Sequence, residues 1–201
     1  MYVPEVIYLR LRADEGTYGP TVGDGLPDNY DITKLCDLIE AVVNNCGPFF
    51  ESDTIIPTIS LKKVQRLCYF CDFDHFEKHS RSISDCIYVR TNSGPVPIYF
   101  DKALKELVTD DRVMPDGNLI RVPFRQVTDI REAGRLPADQ METVFSALER
   151  YAGLSEDDLN KCSRRDNPSI IAGDHQALDY LAAYYRSPDY SVGDDDDDGK
   201  A

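Results

Sequence analysis

The stretch from Ser60 to His79 limits the possible folds more than any other part of this chain. Leu61, Val64, Leu67, Cys68 and Cys71 recur at helical spacing and form one apolar stripe. Tyr69, Phe70, Phe73 and Phe76 then fill most of the remaining wheel. A helix apolar on nearly every side cannot lie on a surface and must be packed by several neighbours. The expectation is a central buried helix, N-capped by Ser60 and running to about His79.

The flanking sequence supplies those neighbours. A helix begins near Asp31 and presents Leu35, Leu38, Ile39 and Val42 on one face until Gly47-Pro48 stops it. Cys86–Arg90 reads as a short strand. Asn92–Pro97 reads as a turn, because Pro95 and Pro97 forbid ordinary helix there. A third helix is expected from about Tyr99 to Thr109, then a turn at Met114–Asn118 and a strand at Leu119–Val122 that could pair with 86–90. A fourth helix over 137–152 would bury Met141, Val144, Phe145, Leu148 and Tyr151. A fifth, capped by Ser155, would cover 155–163. Leu178–Tyr185 suggests a helical turn or two. The resulting fold class is mainly α (α+β): a compact helical domain around the central helix, with a small two- to three-stranded antiparallel sheet. The expected organisation is an N-terminal extension over 1–30, with a short strand at 3–11, a domain over 31–190 and an acidic tail over 191–201.

Composition narrows the function. The net charge is −14, and it is still −10 without the aspartate tail. Such a charge repels phosphate backbones and argues against nucleic-acid binding, while it suits a basic protein partner. No apolar run is long enough for a membrane span, and the N-terminus lacks the pattern of a secretory signal. The expected location is the cytoplasm, with the six cysteines acting as reduced, buried hydrophobes.

Cys68-x-x-Cys71-x-x-x-His75-x-x-x-His79 superficially offers four zinc ligands. On one helix Cys68 and His79 lie about 16 Å apart along the axis. Zinc bonds of about 2.0–2.3 Å cannot gather them around one ion. The same cysteines sit mid-helix, where no helix N-terminus lowers a thiol pKa for redox work. Asp72 and Asp74 point to different faces, and no phosphate loop, nucleophile elbow or dinucleotide fingerprint occurs. Residues 99–122 have the element order of the end of a winged helix. However, Lys102, Lys105 and Arg112 there face four carboxylates over 99–113. The expectation is therefore no enzyme, no cofactor and no metal.

One resemblance ties these features together. Lys63–Phe73, with its Tyr69-Phe70-x-Asp72, is followed by Arg81-Ser82-Ile83-Ser84, Tyr88-Val89 and Gly94-Pro95-Val96-Pro97, then an amphipathic helix ending in Leu107. In order and spacing this resembles the Panacea domain of SocA-like antitoxins. Ser80 and Asp85 stand where that family often has glycine. In the segment Cys162–Ser169, Arg164 and Ser169 replace its usual His and Trp. The resemblance implies an antitoxin that binds and neutralises a cognate toxin. It also allows an adaptor handing the toxin to the Clp protease, or a phage-encoded regulatory binding protein without a toxin. The motif positions Tyr69, Asp72, Arg81, Gly94, Pro95, Pro97 and Asp166 are the candidate partner-binding residues.

Overall fold

A computed structural model describes residues 30–49, 58–123 and 135–192. The expected strand at 3–11, nearly all of the N-terminal extension and the aspartate run of the tail lie outside the described residues.

Helix α1 (Ile32–Asn45) starts where the Asp31 side chain accepts a hydrogen bond from the Thr33 amide, and its expected face is buried. Strand β1 (Thr58–Ser60) leads into α2 (Leu61–His79), with Ser60 accepting from the Lys63 amide as N-cap. Every residue of α2 from Val64 to His75 is buried. It packs against α1, and against α4 (Ala138–Tyr151), α5 (Glu156–Arg165) and the 3-10 helix Tyr180–Tyr185 from further along the chain. The all-round apolar wheel therefore marks the centre of the fold, and the chain is mainly helical with two small antiparallel sheets. Helix α3 (Phe100–Thr109) closes over α1.

The sheets differ from the expected pairing. Strand β2 (Tyr88–Thr91) pairs with β3 (Gly94–Pro97), so the segment expected to be a turn is itself a strand with the turn confined to Asn92-Ser93. The Ile98 amide bonds Ile87 O at 3.0 Å. Alternation along an antiparallel ladder then puts Pro95 and Pro97 at non-hydrogen-bonded positions, where a missing N–H costs nothing. The other edge of β2 is taken by residues 175–178, through Arg90 N to Gln176 O and Leu178 N to Tyr88 O. Strand β5 (Leu119–Arg121) therefore cannot reach β2. It lies between β1 and β4 (Met114–Asp116), turning from β4 at Gly117 with φ +60°.

Two further differences follow from side-chain geometry. Phe145 is 48% exposed rather than buried, because the inner arc of α4 is Thr143, Val144, Ala147, Leu148 and Tyr151. Thr143 earns its inner place through a 2.9 Å hydrogen bond with His75 Nδ1. Past α5, Asp166 ends one helix and caps another, α6 (Asn167–Ile171), which the sequence reading had not separated. All six cysteines are free thiols, and five are buried. Among the described residues no helix is long and apolar enough to cross a membrane.

Candidate functional site

The polar groups of α2 are buried with its apolar ones, and each must find a partner or cost stability. Arg66, Tyr69, Asp72 and Asp74 find theirs on later parts of the chain.

Arg66 reaches the β2–β3 turn. Its Nη1 donates to Pro95 O at 2.6 Å, its Nη2 to Ser93 O at 2.7 Å and its Nε to Asn160 Oδ1 of α5 at 3.1 Å. Burial pushes this guanidinium down to about 10, so it stays charged with neutral acceptors around it. Gly94 allows the approach. It sits at φ +114°, and a Cβ there would stand 2.6 Å from Arg66 Nε and 2.7 Å from Ser163 Oγ.

Asp72 holds the loop that follows α2. Its Oδ1 accepts from the Ile83 and Ser84 amides, both at 2.8 Å, and its Oδ2 from the Ser84 and Tyr88 hydroxyls. Burial pushes its carboxyl up to about 6, against the pull of those four bonds. At each end of the loop the backbone takes a positive φ, 57° at Ser80 and 55° at Asp85. These are the two places where the resembling family often has glycine, so the turn keeps its shape with strained residues. Asp72 does not pair with Arg81, which is exposed and bonds Asp139 of α4.

The third cluster joins α2 to the C-terminal part of the chain. Tyr69 donates to Asp166 Oδ2 at 2.7 Å. Arg186, whose side chain is wholly inaccessible, forks onto Asp166 through Nη2 at 2.7 Å and Nε at 3.1 Å. Its Nη1 meets Asp74 Oδ1 at 2.6 Å and Glu77 Oε2 at 3.3 Å. Arg150 Nη1 adds a second cation 3.5 Å from Asp74 Oδ2. Burial pushes Asp74 up to about 6, while the two guanidiniums pull it back towards the ionised form.

These groups are occupied with each other. Cys68 and Cys71 are fully buried, and burial pushes both thiols well above their usual range. His75 is held down to about 4, chiefly by burial. His75 Nδ1 and Thr143 Oγ1 are hydrogen-bonded at 2.9 Å. Among the described residues no three His, Cys, Asp or Glu side chains gather where they could hold a metal. Arg112, one of the three cations of residues 99–113, is buried against Asp37 and Glu40.

The structure thus places Tyr69, Asp72, Gly94, Pro95, Pro97 and Asp166 inside the molecule and Arg81 at its surface. Tyr69 and Asp166 share one cluster, Gly94 and Pro95 another. Sequence reasoning missed Arg66, Asp74 and Arg186 as the charges that bind these clusters. A carboxylate in the buried stretch of α2 was the available signal, since Asp74 there needs a cation or several donors. It also missed a surface feature. Ile170 and Ile171 of α6, and Leu181, Tyr184 and Tyr185 of the 3-10 helix, are large apolar side chains left in solvent.

The model of one protein family, described as antitoxin SocA-like, Panacea domain, matches residues 64–168, just over half the chain. No curated protein and no solved structure matches it.

Proposed function

The chain belongs to the SocA-like antitoxin family through its Panacea domain, and we propose that it is the antitoxin of a toxin–antitoxin pair, neutralising its toxin by direct contact in the cytoplasm. The observation that carries this reading is where the family's motif residues lie. Tyr69, Asp72, Gly94 and Asp166 are spent on buried hydrogen bonds and close packing, as scaffold residues would be. That suits a protein that works by its surface. Of the motif positions, Arg81 is the one left at the surface, where it bonds Asp139. A charge of −14 speeds encounter with a basic toxin and discourages nucleic acid.

Co-expression with the product of the adjacent gene tests this. The neighbour alone should arrest growth, the pair should grow, and the two proteins should co-purify in fixed proportion. A harmless neighbour that does not bind would sink the reading. Pulse-chase of the toxin in cells with and without the Clp protease separates inhibition by binding from delivery for degradation. Under inhibition by binding, the toxin persists in both.

A further inference from the structure

We infer that α6 and the Tyr180–Tyr185 helix form the docking surface for a basic protein partner that presents apolar side chains. This rests on the antitoxin reading and gives it a surface. Single exposed apolar residues are ordinary, but a group on adjoining elements is not. Here Ile170, Ile171, Leu181 and Tyr185 are 60%, 63%, 57% and 76% exposed, and Tyr184 is exposed beside them. The two elements pack on one another, with Pro168, Ser169, Ala182 and Ala183 turned inward. The small residues therefore serve the core, and the large ones are left outside.

The surface is also held rigid, which lowers the entropic cost of binding. Asp166 caps α6 by accepting from the Asn167 amide and at the same time binds Arg186, the residue after Tyr185. Tyr180 stacks on Phe73 with centroids 4.3 Å apart and donates to Cys86 O at 2.8 Å. Tyr184 donates to Ser80 Oγ at 2.8 Å. One residue set thus fixes both elements to α2 and to the loop after it.

Charge selects the occupant. The Val192 amide donates to Glu77 Oε2, the oxygen that also meets Arg186. The chain therefore continues from a point one contact away from the residue following Tyr185. Five aspartates, Asp194–Asp198, begin two residues later. Asp179 and Asp189 add exposed carboxylates nearby in sequence, against Arg164 and Arg165 at the end of α5. An exposed apolar group on a chain of net charge −14 matches a cationic partner with an apolar face. A second copy of this chain would bring two charges of −14 together and is disfavoured.

The test uses the full chain, labelled with nitrogen-15, and a synthetic 18-residue amphipathic helix of leucine and lysine as probe. Chemical-shift changes should concentrate at 167–172 and 179–187. Ile171→Glu should weaken binding about tenfold or more without altering the circular dichroism, and Leu181→Glu is its independent repeat. Converting the five tail aspartates to asparagine should weaken binding and flatten its salt dependence. Phe145→Ser, an exposed aromatic on α4, should leave binding unchanged. Shifts centred on α4, indifference to both glutamate substitutions, or an equal effect of Phe145→Ser would overturn the assignment. So would light scattering that shows a dimer dissolved by Ile171→Glu. The peptide result needs no toxin, whereas growth rescue judges the antitoxin reading without reference to this surface. Rescue that survives both glutamate substitutions would remove the surface and keep the antitoxin.

Discussion

Among the described residues, replacing Arg186 by methionine removes the one cation that touches Asp166 and Asp74 together. The methionine retains most of the apolar stem, so the perturbation is chiefly electrostatic. Three carboxylates lie within 3.3 Å of the guanidinium, and two of them, on Asp74 and Asp166, are buried. Breaking a buried pair from one side costs about 3–5 kcal/mol, because it strands the opposite charge. Against a total stability of about 5–15 kcal/mol, that would leave many domains marginal. The cost has a ceiling, since a stranded carboxylate can take up a proton. Burial already pushes Asp74 up to about 6 with Arg186 in place, and without it the folded-state pKa rises further. A carboxyl raised in the folded state binds protons on folding, so the variant should recover stability as pH falls. Urea unfolding at pH 8 and pH 5.5 reads this directly. The deficit relative to wild type should be largest at pH 8 and smaller at pH 5.5. Adding Asp166→Asn should cost less in the variant than in wild type, as expected of groups in one network. A deficit below about 1 kcal/mol at pH 8, or one independent of pH, would refute the argument.

Gly94→Ala should cost about 2 kcal/mol or more in thermal unfolding, since the added Cβ meets Arg66 and Ser163 at a positive φ. A cost near zero would mean that the Arg66 contact is not tight in solution. His75 is held down to about 4 from its ordinary 6.5, so between those values the unfolded chain takes a proton that the folded one refuses. Wild type should therefore lose stability relative to His75→Gln as pH falls from about 6.5 to about 4, and parallel profiles would contradict that. Under native conditions a thiol reagent should modify Cys162 quickly and the five buried thiols only after denaturant is added. Rapid labelling of Cys68 or Cys71 would show that α2 is not the centre of the core.

How much of this was legible depended on which force dominated each element. The central helix and α1 were readable because burial of a regular apolar pattern decides them, and Ser60 and Asp31 cap them as their side-chain chemistry predicts. Strand pairing was not readable. Segments of three or four residues carry too little pattern to choose between β2 and β1 as partner for Leu119–Arg121. The choice rested on 175–178 occupying the second edge of β2, a contact distant in sequence. Phe145 misled because an aromatic residue at helical spacing ordinarily packs inward, yet that face of α4 ends at Val144. Within the site, Asp72 is nominated from its motif position, and its bonds are all internal to the molecule. A carboxylate needing several donors is served better by two amides and two hydroxyls than by an arginine fixed at the surface.

The buried clusters and the exposed patch are connected by chain order rather than by proximity alone. Asp166 ends α5, caps α6 and anchors Arg186, so the two patch-bearing elements share one attachment to α2. A change that weakens this attachment would loosen α6 and the Tyr180–Tyr185 helix before it loosened α1 or α3, which pack on each other at a different part of the core. Charged residues at the centre of a helical domain gain little stability over apolar ones of equal size. What they supply here is a fixed position for two short elements. At five and six residues, neither is long enough to hold its shape unaided.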